Sequence, residues 1–197
     1  MLERISPLAN VRKSGGRDGA GGRNLRMGES RGWRLVQIAA FPPTAIAFAT
    51  ATRPLLGVDL PTGVGQATVL GARLVLKIGP EQFWIITRDD EDIAPALQTV
   101  VTPTIGSVTP LTHSRTCIWI EGPPSREVLA SGVAVDLHPD VFRPGGFALT
   151  GLHHTPIMIY RSGAVRYELY VLRTFALWTW EWLIDAARPF GYEITAA

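Results

Sequence analysis

Residues 112–146 contain the pattern that most constrains the fold of this 197-residue chain. Residues 116–121 form a short β-rich run with apolar side chains on both faces, which is typical of a strand covered on both sides. Gly122-Pro123-Pro124 then ends the strand and favours a helix, since the N–H that proline lacks has no partner in a first helical turn. Gly132 marks the expected helix end. The stretch therefore predicts a strand, a tight turn and a short helix in succession.

Short strand-like runs alternate with three or four helical patterns over residues 33–197. This alternation predicts an α+β body with short, mainly antiparallel strands and with helices on one face of the sheet. The length also suits a division into two small lobes, of about residues 33–104 and 105–197. Both arrangements are compatible with the pattern.

The basic charge of the chain is confined to its beginning. Residues 1–34 contain eight Lys or Arg and three Asp or Glu, whereas the remaining residues contain eleven and fourteen. Seven glycines lie between residues 14 and 32 with few apolar side chains, so burial offers little to offset the entropy of ordering. The composition therefore predicts a flexible, basic Gly/Arg-rich arm over residues 1–32.

Three roles are open for this arm. It can be a disordered tail, or a tether across a neighbouring subunit, with Ile5, Pro7 and Leu8 as a small anchor and arginines against acidic patches. It can also be a polyanion-binding module. Binding to single-stranded nucleic acid favours aromatic residues between the arginines, however, and none occurs before Trp33.

The helix predicted over residues 174–188 has an apolar arc of about 220°, wider than one sheet face requires. Trp178 and Trp182 lie towards one side of this arc, and Trp180 lies on the far side. Such a width predicts either burial on two sides or contact with a partner chain. The charged content of 18%, against about a quarter in a typical soluble chain, also favours a covered surface.

The histidines do not predict a catalytic or metal site. His153 and His154 are adjacent, so on a strand they would point to opposite faces. His113 precedes Ser114 and Arg115, but neighbouring side chains on a strand do not face each other. His113 and Arg115 are therefore candidates for a polar pair at a strand end or for a contact with a partner.

Two further features have a structural interpretation. Cys117, the one cysteine, lies in an apolar strand and is predicted to be a small buried hydrophobe. The acidic run 89–92 is predicted to begin a helix rather than to bind a metal ion, because acids favour helix N-termini. Without a disulfide framework or an apolar signal core, the predicted location is the cytoplasm.

Three segments taken together resemble a known family: THSRTCIWIEGPPSREVLASG with VDLHPDVFRPG, and RTFALWTWEWLIDAA. They are similar to the gamma subunits of heterotetrameric sarcosine oxidases and to the related subunit of N-methylglutamate dehydrogenase. The similarity runs over residues 33–194 and extends distantly to the folate-binding aminomethyltransferase fold. Pro110 stands where these proteins often carry an acid, which argues against folate binding by this chain.

The resemblance implies a complex of alpha, beta, gamma and delta chains that oxidatively demethylates sarcosine or a similar N-methyl amine. It places FAD, FMN, NAD, tetrahydrofolate and zinc on partner subunits, with tetrahydrofolate on alpha and zinc on delta. The gamma chain would bind no cofactor or metal and would assemble chiefly against alpha, as a non-catalytic part of an oxidoreductase.

On this interpretation the candidate partner contacts are His113, Arg115, Trp178, Trp180 and Trp182. No catalytic residue, nucleic-acid partner or membrane partner is predicted. Two alternatives remain: a folate-binding protein like the one-carbon transferases, and the polyanion-binding module acting through the arm.

Overall fold

The computed structural model describes residues 5–195 and divides the chain into two compact units. The terminal unit consists of Met1–Arg31 together with His113–Ala197, and the central unit is Gly32–Thr112. The structure thus divides the chain differently from the two lobes that the sequence suggested, because the first thirty residues join the C-terminal part.

Within residues 5–195 the chain forms twelve strands and four α-helices. In chain order they are β1 (Gly15–Arg17), β2 (Leu25–Ser30), β3 (Trp33–Ala40), α1 (Ala45–Leu56), β4 (Ala67–Leu70), β5 (Arg73–Gly79), β6 (Gln82–Arg88), α2 (Ala94–Val100), β7 (Gly106–Pro110), β8 (Arg115–Glu121), α3 (Ser125–Ala130), β9 (Phe147–Leu152), β10 (Thr155–Tyr160), β11 (Arg166–Leu172), α4 (Ala176–Ala187) and β12 (Tyr192–Ile194).

The strands form one sheet in each unit. The terminal sheet has the order β1-β12-β2-β8-β11-β10-β9, and the central sheet has the order β4-β5-β6-β3-β7. All neighbouring strands are antiparallel except β12 and β2, which are parallel. The predicted α+β class with mainly antiparallel strands and three or four helices is therefore confirmed.

The core of the terminal unit consists of one face of its sheet, α3 and α4. Alternate residues of β8 and β11, such as Ile118 and Leu169, supply the sheet side. Val128 and Leu129 of α3 and Leu183 of α4 belong to the same buried cluster. The predicted succession of strand, Gly-Pro-Pro turn and short helix before Gly132 is confirmed by β8 and α3.

The central unit has its own core, in which α1 and α2 supply the helical side. Phe48, Thr52 and Leu56 are the buried residues of α1 and recur at four-residue spacing, so they lie on one face of the helix. The ring of Phe48 stacks on Phe83 of β6 with centroids 6.5 Å apart. Leu97 of α2 completes this cluster.

The predicted flexible arm over residues 1–32 is wrong for its described part. β1 and β2 belong to the terminal sheet, and Leu25 and Met27 are fully buried. The glycines allow close backbone approach: a Cβ on Gly16 would lie 2.5 Å from the carbonyl oxygen of Tyr192. Close packing against β12 therefore accounts for Gly16, while Gly22 and Gly32 have positive φ angles of 87° and 73° that favour glycine.

The predicted anchor of the arm packs on its own unit instead of on a neighbour. Leu8 is fully buried in the terminal core. Ser6 Oγ donates a hydrogen bond to Glu29 Oε2 at 2.6 Å, and Arg173 donates one to the carbonyl oxygen of Ile5. Residues 5–8 therefore hold the N-terminal segment against the sheet.

Candidate functional site

Helix α4 has one buried face and, beside it, an exposed aromatic flank. The helix is confirmed close to its predicted limits, with 3₁₀ turns at both ends. Its buried residues recur at helical spacing and pack on the terminal sheet: Ala176, Thr179, Trp180, Leu183 and Ala187. Leu177 is 42% exposed on one flank of this buried face. On the other flank, beyond the exposed Glu181 and Asp185, Phe175 and Trp178 are 39% and 40% exposed.

His153 extends this exposed face from the turn between β9 and β10. The centroid of its ring lies 6.1 Å from that of Trp178 and 5.8 Å from that of Trp182, with interplanar angles of 88° and 74°. Both are edge-to-face contacts of the kind that aromatic rings prefer. The backbone of His153 has a φ of 48°, so these contacts accompany a conformation that is uncommon outside glycine.

Gly132 lies directly against the rings of Trp182 and His153. A Cβ at this position would lie 2.6 Å from Cζ2 of Trp182 and 3.1 Å from Nε2 of His153. Only a residue without a side chain therefore lets the two rings keep their positions. We refer to Phe175, Trp178, Trp182 and His153 as the aromatic surface.

The structure separates the three predicted tryptophan contacts. Trp178 and Trp182 belong to the aromatic surface, but Trp180 is 1% exposed within the terminal core. Trp180 is therefore wrong as a partner contact, because its side of α4 faces the chain's own sheet. Its Nε1 and the neighbouring Thr179 Oγ1 are buried without a hydrogen-bond partner among the described residues.

His113 and Arg115 lie at the start of β8. His113 is exposed, and Arg115 donates hydrogen bonds from Nη1 to Ser114 Oγ at 3.1 Å and to the Ser114 carbonyl oxygen at 3.4 Å. Partial burial lowers the pKa of Arg115 by desolvation. Arg115 pairs in register with Leu172, the last residue of β11 before the turn into α4.

The second face of the terminal sheet carries a polar group of side chains around Cys117. As predicted, Cys117 is buried, and burial raises the pKa of its thiol well above the ordinary value, so the thiolate is suppressed at neutral pH. Tyr170 donates its hydroxyl hydrogen bond to Glu168 Oε2 at 3.0 Å. Burial also raises the pKa of Tyr170, with Cys117 and Glu168 adding to the effect.

A cation–π contact lies on the same strands. The guanidinium carbon of Arg166 is 4.3 Å from the ring centroid of Trp119, and Nη1 is 3.1 Å from Glu121 Oε2. These are pairings between side chains of the terminal unit itself.

The acidic run 89–92 precedes α2, as predicted. Asp92 Oδ1 accepts a hydrogen bond from the N–H of Ala94 at 3.3 Å. The guanidinium of Arg34 lies 3.4 Å from Asp89 and 3.2 Å from Asp92. The run is thus held by the helix start and by an arginine of β3.

No three His, Cys, Asp or Glu side chains among residues 5–195 are grouped so that they could hold a metal ion. No helix in the same range combines the length and apolar composition that spanning a lipid bilayer requires.

Two short motifs, G-P-x-x-R-E-x-L and D-L-H-P, lie within the segments that carry the family resemblance, and they meet at a surface cavity of about 320 Å³. Arg126 and Glu127 come from G-P-x-x-R-E-x-L, and Asp136 and His138 come from D-L-H-P. The N–H of His138 donates to Asp136 Oδ1 at 2.8 Å, which fixes that loop. The motifs were evident in the sequence, but their convergence on one cavity was not.

Residues 41–189 match the model of the sarcosine oxidase, gamma subunit family. The chain belongs to this family. The resemblance inferred from the three sequence segments is thereby confirmed. The sarcosine oxidase subunit gamma of Corynebacterium sp. (strain U-96) is 31% identical over 146 residues, which cover 74% of this chain and 69% of the relative. That of an Arthrobacter sp. is 30% identical over 162 residues, covering 82% and 79%.

Solved structures give the same family and a wider fold relationship. A chain of the heterotetrameric sarcosine oxidase from Corynebacterium sp. U-96, in complex with pyrrole 2-carboxylate, has a TM-score of 0.84 and 26% identity, with 98% of both chains covered. Aminomethyltransferase T of the glycine cleavage system from Bartonella henselae has a TM-score of 0.60 and 14% identity, over 84% of this chain and 47% of that one. The second likeness concerns the fold alone and confirms the predicted similarity to aminomethyltransferases.

Proposed function

We propose that this chain is an assembly subunit of a sarcosine oxidase-like complex and that its aromatic surface docks on a partner subunit. The observation that carries the proposal is the exposed aromatic flank of α4, where the rings of Trp178 and Trp182 pack against His153 and Trp182 lies close to Gly132. Membership in the gamma subunit family and the likeness to a chain of a heterotetrameric enzyme support it.

In this complex the partner subunits carry the redox chemistry. The complex is an oxidoreductase that demethylates sarcosine or a similar N-methyl amine, and the one-carbon unit passes to tetrahydrofolate on the alpha chain. FAD, FMN, NAD and zinc belong to the large subunits and the delta chain. The gamma chain contacts chiefly alpha, and the complex is cytoplasmic.

The ionisable side chains in the terminal sheet are consistent with a non-catalytic role. Glu168 is bound by Tyr170, Glu121 is bound by Arg166, and the buried thiol of Cys117 is kept neutral. Such pairs stabilise a sheet, and they leave little reactivity for catalysis.

The aromatic surface is suited to strong docking. Tryptophan is enriched among residues whose truncation costs more than 2 kcal/mol of binding, and such residues lie in well-packed, desolvated patches. Trp178 is 40% exposed, so a partner can bury it further without any rearrangement of α4. Its ring is already oriented by His153, which lowers the entropy lost on binding.

Co-expression with the partner subunits tests this proposal. We expect Trp178→Ala to weaken complex formation by about thirtyfold, the equivalent of about 2 kcal/mol. The matched control is Val141→Ala, since Val141 is 66% exposed in the same unit but lies outside the aromatic surface. Equal affinities of Trp178→Ala and the unmodified chain, measured by light scattering of purified complexes, would refute the docking role.

The fold favours a second candidate, a folate-binding protein similar to the one-carbon transferases. Its support is the likeness to aminomethyltransferase T. Pro110, which pairs with Val36 at the edge of the central sheet, weighs against it because the acid often found there is missing. Titration of the purified chain with a reduced folate separates the candidates, since binding without partner subunits is expected only for the second.

A further inference from the structure

Strand β1 forms an open edge of the terminal sheet. Within residues 5–195 it pairs on one side only, with β12, and its three residues are exposed. Gly15 and Gly16 carry no side chains of their own, and the guanidinium of Arg23 lies over one face of Gly16. An edge strand presents unpaired N–H and C=O groups, which can pair with an extended segment of another chain.

The neighbourhood of this edge is positively charged. Lys13 and Arg17 are exposed, and neither forms an ion pair with another residue between 5 and 195. The nearby acid Asp18 is engaged by Arg23 at 3.0 Å. The other acid of this segment, Glu29, is buried beside Ser6 and Arg12. Glu193 of β12, which pairs in register with Gly16, is also exposed. Lys13, Arg17 and Arg23 thus outnumber the acids Asp18 and Glu193 beside the open backbone, which leaves the neighbourhood of this edge positively charged.

We propose that the β1 edge binds an extended acidic segment of another protein by strand addition, with carboxylates beside Lys13 and Arg17. Backbone hydrogen bonds supply the pairing, and the two positive side chains select the charge of the added strand. This second surface is distinct from the aromatic surface, and it does not depend on the role proposed for α4.

The charges also decide between possible occupants. A second copy of the chain would bring β1 against β1, which places Arg17 and Lys13 near the same residues of the other copy. Like charges on paired strands are unfavourable. An acidic strand would instead be attracted to this edge, because its carboxylates would lie beside Lys13 and Arg17, which have no other described ion-pair partner.

Binding of labelled peptides to the full chain, followed by fluorescence anisotropy, tests the inference. The probe is a peptide of alternating Glu and Val, and one comparison peptide has Lys in place of Glu. A second comparison peptide has Pro in place of Val, which keeps the negative charge but removes half of the backbone donors. We expect the Glu-Val peptide alone to bind, and heparin to compete poorly at moderate salt.

Charge reversal locates the site. Lys13→Glu with Arg17→Glu is expected to weaken binding of the Glu-Val peptide about tenfold, since two exposed ion pairs become repulsions. The control, Arg53→Glu with Arg88→Glu, reverses two exposed arginines of the central unit and should leave binding unchanged. Hydrogen exchange of the unmodified chain should show slower exchange within residues 15–17 when the peptide is bound, at the N–H groups that face away from β12.

Several results would overturn the inference. The inference is wrong if the Glu-Val peptide does not bind. It is also wrong if the bound peptide slows hydrogen exchange elsewhere but not within residues 15–17. Equal binding of the Glu-Pro peptide or strong competition by heparin would instead indicate polyanion attraction without strand pairing, because phosphate- and sulfate-driven binding depends on charge alone. If the charge-reversed variant fails to fold, the exchange measurement on the unmodified chain decides.

Discussion

Two tryptophans of α4 lie in different surroundings. Trp180 is 1% exposed and packs into the terminal core, whereas Trp178, two residues earlier, is 40% exposed beside His153. Composition does not distinguish them, because both are tryptophans in an apolar helix. The contrast shows that an over-wide apolar arc can combine burial in the chain's own core with an exposed aromatic flank, which is the surface that we propose to meet another chain.

The largest effect on the free energy of unfolding is expected from substitutions on the buried face of α4. Trp180→Ala should lower the free energy of unfolding by about 3–5 kcal/mol, because it leaves a large cavity between α4 and the sheet. Trp180→Phe should cost only about 1 kcal/mol, since it also removes the unpaired buried Nε1 donor. Urea denaturation measures both. Equal losses for the two variants would contradict the packing described for this face.

The next largest effect on the free energy of unfolding is expected at Gly132, which lies against the ring of Trp182. Gly132→Ala should lower the free energy of unfolding by about 1–3 kcal/mol and displace the ring of Trp182, because the added methyl overlaps it. Gly79→Ala is the matched control, since its Cβ would meet its nearest neighbour at 3.8 Å. A Gly132→Ala chain with unchanged thermal stability and unchanged near-ultraviolet circular dichroism would show that the rings are not held there.

The exposed face should matter little for folding. Trp178→Ala is expected to lower the free energy of unfolding of the isolated chain by about 1 kcal/mol, mainly through its lost contact with His153. Thermal unfolding of this variant beside Trp180→Ala is the measurement. A loss from Trp178→Ala as large as that from Trp180→Ala would remove the distinction between the faces.

The smallest effect is expected at His153. Asn tolerates the left-handed backbone conformation of this position, so His153→Asn should lose only the edge-to-face contacts, less than about 1 kcal/mol. His153→Val should cost more, because a β-branched residue is strained at positive φ. Chemical denaturation of the pair checks this order, and the reverse order would show that backbone strain at His153 is unimportant.

The sequence predicted those features that depend on helical periodicity or on the residues immediately before and after a position. The limits of α4, the burial of Cys117 and the start of α2 after residues 89–92 follow from helical spacing, an apolar strand and acids at a helix N-terminus. Each of these signals lies within a few neighbouring residues.

The remaining features depend on contacts between distant residues. Gly16 packs against Tyr192, far along the chain, so its role in close approach resembled flexibility when the sequence was considered alone. The same holds for His153, which meets Trp178 and Trp182 from another element. Helical spacing separated Trp180 from Trp182, but it did not indicate which of the two sides would face the sheet.

Radical footprinting of the tryptophans tests the central claim most directly. Oxidation of Trp178 and Trp180 would be quantified by mass spectrometry in the isolated chain and in the complex with its partner subunits. We expect Trp178 to be oxidised in the isolated chain and protected several-fold on assembly, while Trp180 stays unreactive in both. Equal oxidation of Trp178 in the two states would contradict the docking role of the aromatic surface.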